Sequence, residues 1–193
     1  MHLSRGSVQD YGNAQRFEGV KLDEKTNHYL KNDRIGRGLK MWHREMPQID
    51  SSGKAVVGRV LHLHQLIEEK INRNLSRFGL KYPSYAILAT IRVSGAPYRM
   101  TPGELLSSIV LSSGGLSNLL RKLEAEGYVQ RSGAEGDGRS VIVQLTEKGV
   151  SLAERAMAAH AELELEIIAT LSTEERDDLA QLLSGLVAAN NLG

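Results

Sequence analysis

The sequence predicts a mainly α-helical fold interrupted by a single β-hairpin, and three observations carry the prediction. Apolar residues recur at three- and four-residue spacing through most of residues 54–126, the period changes to alternation only between residues 128 and 145, and helical spacing returns after Thr146. The 193 residues suffice for one domain with an added arm and a sizeable core. Apolar types make up 41% and charged types 24%, and no run approaches the roughly 18 to 20 apolar residues a spanning helix needs, so no membrane partner is expected. The absence of cysteine excludes disulfides, thiolate catalysis, thiol redox sensing and sulfur-based zinc sites. Residues 1–13 lack the pattern of a secretory signal, and the expected location is cytoplasmic.

Residues 1–38 are polar and glycine-dotted, with a weak helical stretch near residues 23–30, and read as a mobile or loosely docked arm. Residues 35–45 suit a short helix containing Trp42, stopped by Pro47. A long amphipathic helix follows over residues 54–78, apolar at positions 56, 60, 63, 67, 71, 75 and 78 and ended by Gly79. Residues 82–93 form the next helix, with Ile87, Leu88 and Ile91 inward and Ser94-Gly95-Ala96-Pro97 as its stop. Thr101-Pro102-Gly103-Glu104 combines a threonine cap, proline in the first turn and a glutamate placed to complete a capping box, starting a helix to about Ile109.

Leu111-Ser112-Ser113-Gly114 then turns into a helix over residues 113–126, with Leu116, Leu119, Leu120 and Leu123 on one face and Gly127 as its stop. Residues 128–131 and 141–145 alternate as the strands of a hairpin with a long polar tip. Thr146 caps a helix reaching toward Thr170. Ser172-Thr173-Glu174-Glu175 is a second capping box, and its helix carries Leu179, Leu182, Leu183, Leu186 and Val187. That leucine-rich face is too wide for one neighbouring helix, which points to a second copy of the chain.

Helix, turn, helix and two-stranded wing, in this order and at these lengths, form a winged helix-turn-helix, which offers its second helix to a DNA major groove and its wing to a minor groove. On that second helix Ser113, Ser117 and Arg121 share the face opposite the leucines, with Asn118 and Lys122 beside them, types suited to base edges and phosphates. Ser112 and Gly114 stand at its start, where missing side-chain bulk lets backbone N–H groups meet a phosphate. Asp137 two residues before Arg139 in the wing places a carboxylate to hold the guanidinium extended into a minor groove. The alternatives are a solvated helix face and a simple loop salt bridge.

Charge is uneven. Residues 1–47 carry 9 Lys+Arg against 6 Asp+Glu, 48–100 carry 8 against 3, 101–140 carry 4 against 5, and 146–193 carry 3 against 9. The lobe with the candidate DNA-facing residues is thus slightly acidic, so affinity must come from a few placed cations and from symmetry. A winged-helix interaction module or co-regulator without direct DNA binding is the other reading of that balance. Catalytic constellations are missing from the pattern. His62 and His64 lie about 200° apart around a helix and cannot share a metal, His160 with Glu164 reads as an i,i+4 surface pair, Ser113 is in no nucleophile elbow, and no cofactor is implied.

The segment LSSGGLSNLLRKLEAEGYVQRSGAEGDGRSVIVQLTEKG, residues 111–149, resembles the winged-helix core of MarR-type bacterial transcriptional regulators, including the D-x-R-S wing and the L-T-x-x-G start of the next helix. With its flanking helices the resemblance covers about residues 50–190. It implies an obligate homodimer joined through N- and C-terminal helices and bound to double-stranded DNA at a pseudo-palindromic operator. Release follows when a small phenolic or aromatic-acid ligand enters between the dimer helices and the DNA-binding lobe. The implied organisation is an arm (1–38), N-terminal helices for dimerisation and pocket (39–80), a DNA-binding lobe (81–149) and C-terminal dimerisation helices (150–193).

Trp42-His43-Arg44-Glu45-Met46-Pro47 further resembles the extra N-terminal helix of the urate-responsive branch of that family. Trp42 and Arg131 fall on that branch's tryptophan and one of its arginines, whereas Ala86 stands at its aspartate position and Leu119 at its other arginine position. The loss of one carboxylate and one cation leaves a less polar pocket, suited to a flat ring with one anionic group. The expected effector is a small aromatic carboxylate held near Trp42, Arg59, His62, Gln65, Tyr82 and Arg131, Tyr82 falling where some family members contact salicylate. Helix packing is the other role open to Trp42, and an ordinary surface or core place the other role open to His62. The regulated operon would serve aromatic-compound catabolism or efflux, under repression.

Overall fold

The computed structural model describes residues 33–109, 112–133 and 141–191. Its elements are α1 (Arg34–Glu45), α2 (Ser52–Ser76), α3 (Tyr82–Val93), β1 (Arg99–Met100), α4 (Pro102–Ser108), α5 (Ser113–Ala125), β2 (Val129–Gly133), β3 (Val141–Leu145), α6 (Glu147–Ile167) and α7 (Thr173–Asn190). The chain forms two compact units that divide within α2, Met1–His64 and Gln65–Gly193.

In the first unit the Asp33 side chain caps α1 by accepting from the Gly36 N–H, and its other oxygen accepts from Arg59 Nε at 2.9 Å. Both donors hold the Asp33 carboxyl below its usual range, the backbone bond most strongly. The helix therefore begins at Arg34, inside the stretch read from sequence as arm, because a capping aspartate outweighs the glycines that follow it. Gly58 on α2 packs against Ile35, and an added Cβ there would lie 3.2 Å from the Ile35 side chain.

The second unit holds one hydrophobic core. Leu75 and Leu80 contribute from the end of α2 and the turn after it, Ile87, Leu88 and Ile91 from α3, Leu105 from α4, Leu116, Leu120 and Leu123 from α5, Val129, Val143 and Leu145 from the sheet, and Leu152, Ala153 and Ala156 from α6. Truncating one of the fully buried leucines would cost about 2 to 5 kcal/mol. The inward residues expected on α3 are all buried, and on α5 Leu119 alone of the four leucines is only half-buried. Both capping boxes form: Thr101 Oγ1 accepts from Glu104 N–H and Ser172 Oγ from Glu175 N–H, with each glutamate returning a bond to the cap.

Three expectations are corrected. The hairpin is part of a three-stranded sheet of order β1-β3-β2, in which Arg99 pairs with Gln144 and Met100 with Val143. Two residues flanked by Tyr98 and the helix cap Thr101 are too few to show alternation, so only the neighbouring strand reveals them. His160 is buried, because α3 covers it with Tyr85, although it does approach Glu164 at 3.3 Å. The apolar face of α2 is not continuously buried: Val56, Val60 and Leu63 are exposed, and only toward Leu75 does the helix enter the core. Among the described residues no helix is long and apolar enough to cross a membrane.

Candidate nucleic-acid interface

Two short helices, α4 and α5, both pack on α3 through Leu105, Leu116 and Leu120. Burying one face of α5 forces the opposite one outward. Ser113, Ser117, Asn118, Arg121 and Lys122 are all exposed. Ser112 caps the helix through a bond from Gly115 N–H at 3.2 Å. A Cβ on Gly115 would crowd that hydroxyl at 3.1 Å, whereas nothing lies within 4 Å of the corresponding position on Gly114. The helix N-terminus is thus capped through Gly115 and leaves space at Gly114, and the positive end of a helix dipole favours an anion.

Arg121 is not splayed at random. Its guanidinium donates to the Asn118 carboxamide oxygen one turn back, which fixes the fork's direction along the exposed face. Lys122 lies 3.8 Å from Glu126, a loose pair with both side chains well exposed. Both cations lie at the surface, as phosphate and base contacts require.

The sheet is fastened to α5 from behind. Arg131 on β2 donates through Nε to Glu124 Oε2 at 2.8 Å and through a second guanidinium nitrogen to the same oxygen. The pair holds the Glu124 carboxyl below its usual range, and that bond raises the arginine further above its own. Both side chains remain 35% exposed, so the pair orients β2 against α5 more than it stabilises the fold. Gly127, at φ +74°, closes α5, and the Thr146 hydroxyl donates to its carbonyl at 2.8 Å while capping α6 through Gly149 N–H. Gly149 comes so near the Tyr128 carbonyl that a Cβ would lie 2.0 Å from its oxygen, which accounts for the glycine in L-T-x-x-G. Asp137 and Arg139 lie outside the described residues.

The six residues expected around an effector divide between the units: Trp42, Arg59 and His62 in the first, Gln65, Tyr82 and Arg131 in the second. Trp42 is 38% exposed, with Lys54 Nζ 4.3 Å from its ring centroid. Arg59 is engaged by Asp33 and also donates to the Ala55 carbonyl at 2.8 Å. His62 is half-buried and Gln65 exposed. Tyr82, exposed at the start of α3, stands 6.1 Å between ring centroids from both Tyr85 and His160. Burial pushes the Tyr85 hydroxyl up to about 12, aided by Glu164 and Tyr82, so it stays a neutral donor. Among the described residues no group of three or more His, Cys, Asp or Glu could hold a metal ion.

Sequence reasoning missed three of these partners. Glu124, Lys54 and Asp33 each meet an expected site residue, but only the turns between elements bring them there, so spacing carried no signal for Glu124 and Lys54. Asp33 alone had one: aspartate three residues before Gly36 at a helix start is a capping pattern.

The model of the MarR family matches residues 78–140 of the chain. The HTH-type transcriptional regulator PecS of Dickeya dadantii is 33% identical over 145 residues, covering 75% of this chain and 87% of that protein. The multiple antibiotic resistance protein MarR of Escherichia coli is 28% identical over 129 residues, covering 66% and 88%. A crystal structure of a mutant MarR from E. coli complexed with operator DNA superposes with a TM-score of 0.61 at 25% identity, covering 76% of this chain and 97% of that one. The structure of AbsC from Streptomyces coelicolor, at 22% identity and a TM-score of 0.67, shares the fold.

Proposed function

The chain belongs to the MarR family of transcriptional regulators, which are not enzymes, and on that premise we propose that it is a homodimeric, ligand-responsive repressor released from its operator by a small aromatic carboxylate. One observation carries the DNA-binding part: the polar face of α5, opposite its buried leucines, with Arg121 aligned along it by Asn118. In this reading α5 enters the major groove, Ser113, Ser117, Asn118, Arg121 and Lys122 meet bases and phosphates, Ser112 and Gly114 approach a phosphate, and Asp137 and Arg139 serve the adjoining minor groove. Likeness to a protein crystallised on operator DNA supports it.

A two-fold dimer accounts for apolar surface that one chain leaves uncovered. Leu179, Leu182, Leu183, Leu186 and Val187 on α7 are all exposed, as are Val56, Val60 and Leu63 on α2. A dimer reads two half-sites and doubles the few cations of a lobe whose own balance is slightly acidic. Ligand acts by preferring a lobe spacing that misfits DNA; moving the dimer from mostly competent to mostly incompetent takes a preference of about 5 kcal/mol.

The test is a gel shift of the full chain on the promoter DNA beside its own gene, with and without benzoate-class ligands. Arg121→Ala should cost about 1 to 3 kcal/mol of specific affinity while leaving non-specific binding nearly unchanged. Failure of the wild type to shift any such DNA would favour an interaction module instead, and an unaltered affinity of the variant would remove Arg121 from the interface.

A further inference from the structure

Within the N-terminal unit one cation is held where an aromatic anion would need it. Lys54, in the first turn of α2, keeps its ammonium 4.3 Å from the centroid of the Trp42 ring, a cation–π contact on a tryptophan still 38% exposed. The two arginines expected to take an effector carboxylate already face carboxylates of their own, Arg59 that of Asp33 and Arg131 that of Glu124. Lys54 has no such ion pair among the described residues.

The first turn of α2 contains no acidic residue, and the helix dipole and Lys54 act in the same sense. The Asp50 carboxylate already meets that helix end, accepting from the Ser52 N–H at 2.8 Å, which holds its carboxyl below the usual range, so a ligand carboxylate has Lys54 as its partner there and not the helix N–H groups. Ser51, only 4% exposed, has a hydroxyl with no hydrogen-bond partner among the described residues, a further donor at the same turn.

We propose that Lys54 takes the carboxylate of the aromatic effector, the ligand's ring replacing the ammonium over Trp42. The inference rests on the aromatic-carboxylate reading above and adds the residue that selects for the anion. In the free protein the ring's negative face satisfies the ammonium. An aromatic carboxylate that displaces it returns a charge-assisted bond at the ring edge, so the cation exchanges one partner for a stronger one. A neutral isostere such as benzamide displaces the same ammonium and returns only a weaker bond to an uncharged oxygen. Anion selectivity therefore follows from the resting contact itself.

The experiment titrates benzoate and its neutral isostere benzamide into the full chain at pH 7.5, by calorimetry and by quenching of Trp42, the only tryptophan. Wild type should bind benzoate about five- to tenfold more tightly than benzamide. In Lys54→Met the benzoate affinity should fall to the benzamide level while benzamide is unchanged or slightly tighter, and Lys54→Arg should retain most of the preference. Circular dichroism and the gel shift without ligand should be unaltered in both variants. An undiminished benzoate preference in Lys54→Met overturns the role of Lys54 alone, as does equal loss of both ligands. A wild type that binds neither benzoate nor salicylate overturns the aromatic-carboxylate reading and this inference with it.

Discussion

Gly149 and Arg121 show how far one side chain decides in this molecule. Alanine is ordinarily favoured over glycine in a helix interior by about 1 kcal/mol. At Gly149 the sign should reverse, since the added Cβ would meet the Tyr128 carbonyl oxygen at 2.0 Å and backbone cannot step aside as a side chain can. Gly149→Ala is expected to lose about 3 kcal/mol in urea unfolding, the upper end of overpacking costs. An unchanged midpoint would show that α6 and the β2 entry can part without cost. Arg121 matters differently: its bond to Asn118 orders a long side chain, which would lower the entropy lost in the DNA contact proposed for it.

Among the elements, α7 is the most informative because none of its residues is buried. A helix of 18 residues with five exposed apolar side chains and no buried residue gains little from packing against the described residues of its own chain, and propensity alone is marginal at that length. Its stability must come largely from a partner surface. A chain ending at residue 171 should therefore be monomeric at micromolar concentration by light scattering, with the far-UV signal of the remaining helices retained, since the core of the second unit contains no α7 residue. A truncated chain that stays dimeric would assign the interface to α2 instead.

For the molecule as a whole, five carboxylates favoured in their charged form contribute to how stability changes at acid pH. Asp33, Asp50, Glu104, Glu124 and Glu175 all lie below their usual values, 3.8 for aspartate and 4.5 for glutamate, held there chiefly by bonds to backbone N–H groups at caps, or by Arg131 for Glu124. A group depressed on folding contributes stability that is complete above its unfolded value and disappears as pH falls through its folded value. The contribution of these five should be level from pH 6 to 8 and decline below about pH 4.5, as caps and the Glu124–Arg131 pair are protonated. Thermal unfolding across that range checks it; a loss of stability traceable to these residues already above pH 6 would contradict the assignment.

Local chemistry was legible in the sequence because caps, glycine stops and leucine stripes act within a few residues of themselves. Tyr82 to Val93, both capping boxes, α5 and the hairpin strands could be placed from spacing alone, and with them the exposed row Ser113, Ser117, Asn118 and Arg121. What depended on contacts far apart in the chain was decided by tertiary structure. The strand at Arg99 and Met100 exists only because Gln144 and Val143 lie beside it, His160 is buried only because Tyr85 covers it, and Arg131 became a brace when Glu124 came within reach. Periodicity says which face of an element is apolar. It carries no information about which neighbour will cover that face, and partner choice for a charge is settled only when folding brings the two groups together.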